Sequence, residues 1–526
     1  MKLIFWGGGY RPSAFVLTSG LLIWCFASVF AQPIHFKNRR ELFVDDYVTQ
    51  KVENAEIRLQ TPQSAGTAIR FTEPWEGRFC AYVGIVADGI RYRMYYRGAG
   101  ANADGKHAEY TCYAESADGI HWAKPTLGIC SVNGSKANNV VMLEEQQLRN
   151  THNFTVMYDG REGVPSDERF KAVGGSSYES QPERGGFRSS SAYLTYDMDP
   201  KLRAKTGLFR YVSADGLRWK RYAKDTTALF HDYALDSQNS LVWLENEQCY
   251  AVYFRGWSGG VPGELFPANG TRTIMRSTSK DFINWTKPEF MSFGDTEKEH
   301  LYTNATRPYF RASHLLIAMP FRFSPQTKVL SDEQLAQNST HPSQWKGVSD
   351  GVFMTSRGGT RYDRKFMESF VRPGNDSKNW GARSNMPAMG VIQTAKREMS
   401  FFITRAYGTP EVSLERMTLR LDGFAALHAG FKEGVLLTKP MVWEGQRLLL
   451  NYSTGSKGYI KIVLTDEKGT ELAGFGTEDA LPITGDEVDG LVQWKSGRTI
   501  GELKGKSIRA KIIVKDADVF SFGVFD

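Results

Sequence analysis

After its first 31 residues, this 526-residue chain has no apolar run long enough to cross a membrane. Cysteine is scarce, with five in all and no C-x-x-C pair, and His107, His121 and His152 stand at no ligand spacing, so a structural zinc is not expected. No D-x-D-x-D-G loop is present to demand calcium. Lys and Arg exceed Asp and Glu by 65 to 58, but no basic block gathers that excess, so nucleic acid is not an expected partner. Long amphipathic helices, heptad arrays and low-complexity tracts are missing too, which excludes bundles and coiled coils.

The apolar stretch that does occur lies at the start. Lys2 and Arg11 precede Ala14 to Phe30, and Val29-Phe-Ala31 places small residues where a signal peptidase reads. Residues 1–31 are therefore expected to be a secretory signal, with Gln32 the first mature residue. Ile23-Trp24 before Cys25 does not suit a lipoprotein signal. The expected location is periplasmic or extracellular, with no membrane attachment after cleavage. In an oxidising compartment Cys80, Cys112 and Cys130 would supply one bridge.

Aromatic residues are abundant, at 13% with 12 Trp and 23 Tyr. Many belong to a repeated pattern: Ser116-Ala-Asp118-Gly-Ile-His-Trp122, Ser213-Ala-Asp215-Gly-Leu-Arg-Trp219 and, more loosely, Ser279-Lys-Asp281-Phe-Ile-Asn-Trp285. Each copy follows alternating aromatic and polar residues and reads as strand, tight turn, strand. Such hairpins recurring at this spacing are the sequence form of propeller blades. The three tryptophans are expected at equivalent, largely buried places. Further strand signals continue the pattern up to Leu427. Five units fit this length, and four with insertions would fit as well. Composition shifts near Gly430, and residues 431–526 read as shorter strands separated by turns at Glu467-Lys-Gly469 and Asp516-Ala-Asp518, suggesting a small antiparallel β-sandwich. The expected fold is all-β: a propeller over residues 32–430, then the sandwich.

Leu42-Phe-Val-Asp-Asp-Tyr47, Tyr92-Arg-Met-Tyr-Tyr-Arg97, His300-Leu-Tyr-Thr-Asn304, Asn379-Trp-Gly-Ala-Arg383 and Asp516-Ala-Asp-Val-Phe-Ser521 resemble segments of a group of exported bacterial glycosidase-like proteins. The resemblance covers nearly all of the mature chain. It implies a five-bladed propeller like that of arabinanases, invertases and neoagarooligosaccharide hydrolases, with a C-terminal sandwich, and no settled substrate. The turns differ from the sialidase motif S-x-D-x-G-x-x-W, because here Gly follows Asp directly.

First strands of propeller blades line a central funnel, so polar residues at their starts are the candidates for chemistry. Glycoside hydrolysis needs two carboxyl groups across the scissile bond. Asp45 or Asp46 is expected as base or nucleophile, one facing inward and the other outward. Asp236, followed by Ser-Gln-Asn239, and Glu299, followed by His300, Tyr302 and Asn304, complete the catalytic candidates, with Glu299 as the acid and Asp350 ranked below. Asn239, His300, Tyr302 and Asn304 are expected to bind substrate, and six further residues with them. His152 and Asn153 would contact hydroxyls, Trp380 beside Asn379 would stack on a sugar face, and Arg383 with Asn385 would recognise a carboxylate or sulfate. Arg97 and Arg255, in matching Tyr-Tyr-Arg-Gly and Tyr-Phe-Arg-Gly contexts, read as shared blade architecture. The expected function is an exported glycoside hydrolase for a poly- or oligosaccharide, acidic or sulfated. The alternatives are a non-catalytic glycan-binding propeller and a polysaccharide lyase with Tyr302 or His300 as base. No cofactor is required, although a calcium ion in the funnel stays open.

Overall fold

The computed structural model describes residues 33–100, 108–143, 152–176, 207–222, 228–230, 233, 235–259 and 270–526, with the backbone of 187–189 and 194–196. The predicted signal segment and its cleavage site lie outside these residues. The chain is all-β. A short α-helix, Asp332–Gln337, starts at a Ser331 capping box.

Five antiparallel sheets follow one another along the chain. The first runs Ala81–Ala87, Tyr92–Gly98, Tyr110–Ser116, Val140–Leu143, and the second Thr155–Tyr158, Phe170–Gly174, Phe209–Ser213, Lys220–Arg221. The third is Ser240–Leu244, Cys249–Gly259, Gly270–Ser279, Glu289–Phe290. The fourth has Arg307–Tyr309, Ala312–Ala318 and Met354–Ser356, with a separate hairpin of Phe321–Ser324 and Val348–Gly351 beside it. In the fifth, Met386–Pro387 and Ile392–Ala395 both pair with Glu398–Arg405, followed by Ser413–Arg420 and finally Gln63–Arg70. The last sheet thus takes its outer strand from near the start of the chain.

First strands touch in sequence: the first sheet's against the second's, the second's against the third's, the third's against the fourth's. Met389 closes the order by exchanging backbone hydrogen bonds of 2.8 Å with Val83 and Ile85. Phe187–Ser189 pairs with Leu194–Tyr196 in a separate two-stranded hairpin, and Phe209–Ser213 pairs with Phe170–Gly174 in the second sheet.

The repeated turns superimpose in their bonding. Asp118, Asp215 and Asp281 each accept from the backbone N–H groups two and three residues on, at 2.7–2.8 Å. Each also accepts from the preceding serine hydroxyl at 2.9–3.0 Å. The next residue has positive φ in all three: Gly119 at 75°, Gly216 at 74° and Phe282 at 64°. Each turn docks on the preceding sheet. Arg93 and Tyr95 donate to the carbonyls of Asp215 and Gly216 at 2.9 Å, and Arg210 donates to that of Ile283 at 3.2 Å. The tryptophans follow suit but are only half-buried: Trp122 meets Phe402 of the fifth sheet, and Trp219 meets Tyr95 of the first.

Both chain ends build the remaining, ten-stranded sheet. Its spine is two 19-residue strands, Arg447–Thr465 and Ser507–Phe525. Arg39–Leu42 pairs with the second of these, Thr49–Glu53 with Gly434–Thr438, and Glu56–Leu59 with Ala425–Ala429, while Ile34–Lys37 runs parallel to Met441–Glu444. A division at Gly430 therefore does not match the pairing: residues 34–59 and 425–429 belong with the C-terminal strands. The core there joins Phe36, Phe43, Leu427, Trp443, Leu450, Ile462 and Trp494 across both ends of the sequence. Asp516-Ala-Asp518 is no turn. Asp516, at φ 44°, sits in a bulge opposite the register shift between Thr454 and Tyr459, so the strand bends and continues.

Cys80, Cys112, Cys130 and Cys249 are free thiols, not the predicted bridge, and burial pushes the Cys80 and Cys112 thiols well up.

Candidate active site

Where the first strands of the sheets begin, the backbone departs from ordinary geometry. Tyr82, Asn153, Ala305, Arg383 and Asn385 all have positive φ, between 46° and 65°, as does Ala406 at 51° just before Tyr407. Non-glycine residues take this conformation only where surrounding structure compels it, and such strain gathers at functional sites. Here it turns large side chains toward one another.

Tyr82, Tyr302, Tyr407 and Phe321 form one apolar cluster, flanked by Phe79 and Phe323. Tyr302 stacks on Phe321, with ring centroids 4.7 Å apart. Arginines enclose the cluster. The Arg255 guanidinium lies 4.1 Å from the Tyr302 ring centroid and that of Arg272 5.0 Å away, while Arg97 stands 4.4 Å from the Tyr82 ring. Arg97 donates to the Tyr407 hydroxyl at 3.0 Å, to Asn153 Oδ1 at 3.2 Å and to the Phe79 carbonyl at 3.1 Å. Arg383 is held from below, its N–H on the Ser349 hydroxyl at 3.2 Å and its guanidinium on the Ser343 carbonyl at 3.3 Å. Arg97 and Arg255 occupy matching strand positions, and both reach this centre. The shared architecture is itself part of the site.

Carboxylates support the arginines from behind. Glu109 lies 3.7 Å from Arg97 and receives His152 Nδ1–H at 2.6 Å, and Asp236 pairs with Arg255. With Nδ1 so engaged, His152 Nε2 accepts from Asn153 at 3.0 Å, fixing the amide that receives Arg97. His300 Nδ1 accepts the Arg272 backbone N–H at 3.2 Å, which leaves the ring proton on Nε2. Burial and the nearby charges of Arg272 and Arg255 lower the His300 pKa, so the ring is neutral.

The tyrosines diverge. Burial pushes the Tyr82 phenol far up, with Tyr302 adding to the rise and Arg97 opposing it. Burial would raise Tyr302 as well, but Arg383, Arg255 and Arg272 outweigh it against the opposing charge of Asp236, and its pKa falls below the usual phenol value. Among the described residues the Tyr302 hydroxyl makes no hydrogen bond, while its carbonyl accepts from Ser237 at 2.6 Å and Arg255 at 2.8 Å. The ring is thus held by its backbone and its face, and the oxygen is left for another partner.

The predicted residues divide into three groups. His152, Asn153, Asp236, His300, Tyr302 and Arg383 come together here. Asn239, Asn304, Asn379 and Asn385 are buried nearby, but their amides hold backbone: Asn304 reaches the Gln238 and Tyr253 carbonyls at 3.2 and 3.1 Å, and Asn385 those of Ser349 and Asn379 at 2.8 and 2.9 Å. Glu299 stands off to one side, its two oxygens taken by Arg322 at 2.6 Å and by Arg364. Arg322 also grips Asp350, and these two line a cleft of about 430 Å³ with Arg372 and Trp380. Trp380 is only partly exposed, its indole N–H on the Gly374 carbonyl at 2.9 Å.

Asp45 and Asp46 take partners elsewhere. The strand ends at Leu42, before either residue; Asp45 is buried and binds Arg357 at 2.7 Å, and Asp46 is exposed and binds Lys365, both at the border with the ten-stranded sheet. Sequence reading passed over Tyr82, Tyr407, Glu109 and Arg272. The matching Arg-Gly contexts of Arg97 and Arg255, which read from sequence as blade architecture, are the one local signal that these residues share a centre.

No family model matches the chain, and no curated protein matches it in sequence. Among solved structures it overlaps an N-acetylgalactosamine deacetylase from F. plautii in complex with blood group B trisaccharide, at a TM-score of 0.42 and 10% identity over 70% of this chain and 96% of that one. It also overlaps a glycosyl hydrolase from Bacteroides ovatus, at 0.35 and 14% over 69% and 93%. A Bombyx mori GH32 β-fructofuranosidase gives 0.36 and 9% over 87% and 93%. Scores this low carry nothing from those proteins to this one.

Proposed function

We propose that the five sheets are blades of a propeller with the ten-stranded sheet as its companion sandwich, and that the chain is an exported enzyme cleaving an acidic carbohydrate. The observation that carries this reading is the convergence of Arg97, Arg255, Arg272 and Arg383 on three tyrosines where the first strands of the sheets begin. Planar guanidinium groups suit the paired oxygens of a carboxylate or sulfate, and the aromatic faces beside them suit a sugar ring. Backbone strain at five residues, spread over four strand starts, favours a working site over plain packing. The reading calls for no resident cofactor.

The test is a comparison of mature protein on uronate-containing, sulfated and neutral oligosaccharides, with binding and released reducing ends measured in parallel. Acidic ligands should bind and be cleaved, and Arg383→Ala should weaken their binding by about tenfold or more, the scale of one charge-assisted contact. Equal activity on neutral glycans, with Arg383→Ala silent, would sink the proposal. Binding without turnover would leave a glycan-binding propeller instead.

A further inference from the structure

At the centre, Tyr302 is fixed by its ring and its backbone while its hydroxyl makes no hydrogen bond among the described residues. We propose that the bond is broken by β-elimination rather than hydrolysis, with Tyr302 as the proton acceptor from a uronate sugar whose carboxylate the surrounding arginines hold. This rests on the acidic-carbohydrate reading above.

Three features of the geometry point to it. First, Tyr302 is fixed without its hydroxyl: Phe321 stacks on the ring, Arg255 and Arg272 stand at its face, and its carbonyl is anchored twice. Among the described residues the phenol oxygen makes no hydrogen bond, unlike the Tyr407 hydroxyl, which receives Arg97. Second, a proton α to a carboxylate becomes removable only when positive charge meets the charge that builds on that carboxylate as the proton leaves. Arg383, Arg255 and Arg272 are near enough to Tyr302 to act on its titration, and a carboxylate between them would sit beside the phenol. Third, the carboxyl pair that hydrolysis needs is not free. Asp236 is paired to Arg255, and both oxygens of Glu299 accept from arginine, so a proton on either oxygen would displace a charge-assisted hydrogen bond.

In the step itself, the Tyr302 phenolate takes the proton from C5 of the uronate. The C5–H electron pair forms the C4=C5 double bond, and the C4–O bond to the leaving sugar breaks. The departing oxygen takes the proton back from the Tyr302 hydroxyl, which restores the phenolate. No water, oxidant or reductant is consumed. Among the described residues, Arg383, Arg255, Arg272 and Asp236 act on Tyr302, and Tyr82 and Tyr407 pack in the same cluster. With the arginines dominant, activity should rise with pH as the phenol ionises, at lower pH than a free tyrosine would require.

The experiment follows full-length mature protein with 4-linked uronate oligosaccharides, recording ultraviolet absorbance of the unsaturated product together with reducing ends. Absorbance and reducing ends should rise in equal amounts. Tyr302→Phe, which keeps the stacked ring, should lower the rate about 100-fold or more while binding stays within about threefold, and C5-deuterated substrate should slow wild type. Reducing ends without absorbance, or a Tyr302→Phe variant as fast as wild type, would overturn elimination and leave the acidic-carbohydrate reading standing. Failure to bind any acidic oligosaccharide would overturn both.

Discussion

Glu41 shows at single-residue scale how the two parts of the molecule are joined. It is fully buried, yet it carries charge because Arg357 binds it at 2.8 Å, His314 at 3.0 Å and Arg39 at 2.5 Å. Burial alone would raise its pKa, but these partners, Arg357 foremost, bring it down to about 2. A carboxyl depressed from its ordinary 4.5 contributes stability above that value and loses it as pH falls toward about 2. The contribution is about 3 kcal/mol at neutral pH. Glu41→Gln should remove it, so that urea midpoints of variant and wild type, well apart at pH 7, draw together by about pH 2. Midpoints equally separated across that range would show that the Glu41 charge is not what stabilises. Arg357→Met should cost more, about 3–5 kcal/mol, because Glu41 and Asp45 both lose their partner.

At the scale of the element, the Ser-x-Asp turn is a docking device. It ends one sheet's third strand and presents its carbonyls and its tryptophan to the preceding sheet. The aspartate carboxylate needs only backbone N–H groups and one hydroxyl to hold that shape, which is why the third copy tolerates Phe282 at φ 64° where the others have glycine. The ring there is buried against Tyr222, Tyr250 and Trp285, and that packing offsets the strain. Trp219 lies 5.0 Å from Phe154 and 6.2 Å from Tyr95, bridging the first two sheets. Trp219→Ala should destabilise by about 3 kcal/mol, the low end for a large aromatic because the ring is half-buried. Thermal unfolding would measure it. A cost below about 0.5 kcal/mol would mean that the turn does not hold the sheets together.

For the whole molecule, closure happens twice with strands from the N-terminal end. Gln63–Arg70 completes the fifth sheet, and residues 34–59 enter the ten-stranded one. The C-terminal hundred residues thus lack part of their own core when cut away: Phe36, Phe43 and Val48 lie in the same cluster as Trp443 and Phe522. A fragment of residues 431–526 alone should show no cooperative unfolding transition. Co-expression with residues 33–60 should restore one, read by circular dichroism on heating. Cooperative melting of the isolated fragment would show that the N-terminal strands are accessory.

The sequence by itself determined the strands and the repeat. Alternating aromatics set the strand faces, and Ser-x-Asp with a following positive-φ residue set the turns, because both signals lie within a few residues and need no distant partner. Part of the site was legible for the same reason: Asp236, Tyr302 and Arg383 stand at strand starts, as does the His152-Asn153 pair. Asp45, Asp46 and Glu299 carried the same local signal and went elsewhere, since the residues that claim them, Arg357, Lys365, Arg322 and Arg364, stand on other segments, 312, 319, 23 and 65 positions on. Only the tertiary structure decided which charges meet. It brought Arg97, Arg255 and Arg272 from three strands of two sheets onto one tyrosine cluster, and it placed the first strands of the chain inside the last sheet. Neither arrangement has a local signature, because the partners stand on separate strands, from 19 positions apart for Asp236 and Arg255 to hundreds for the sheet closures.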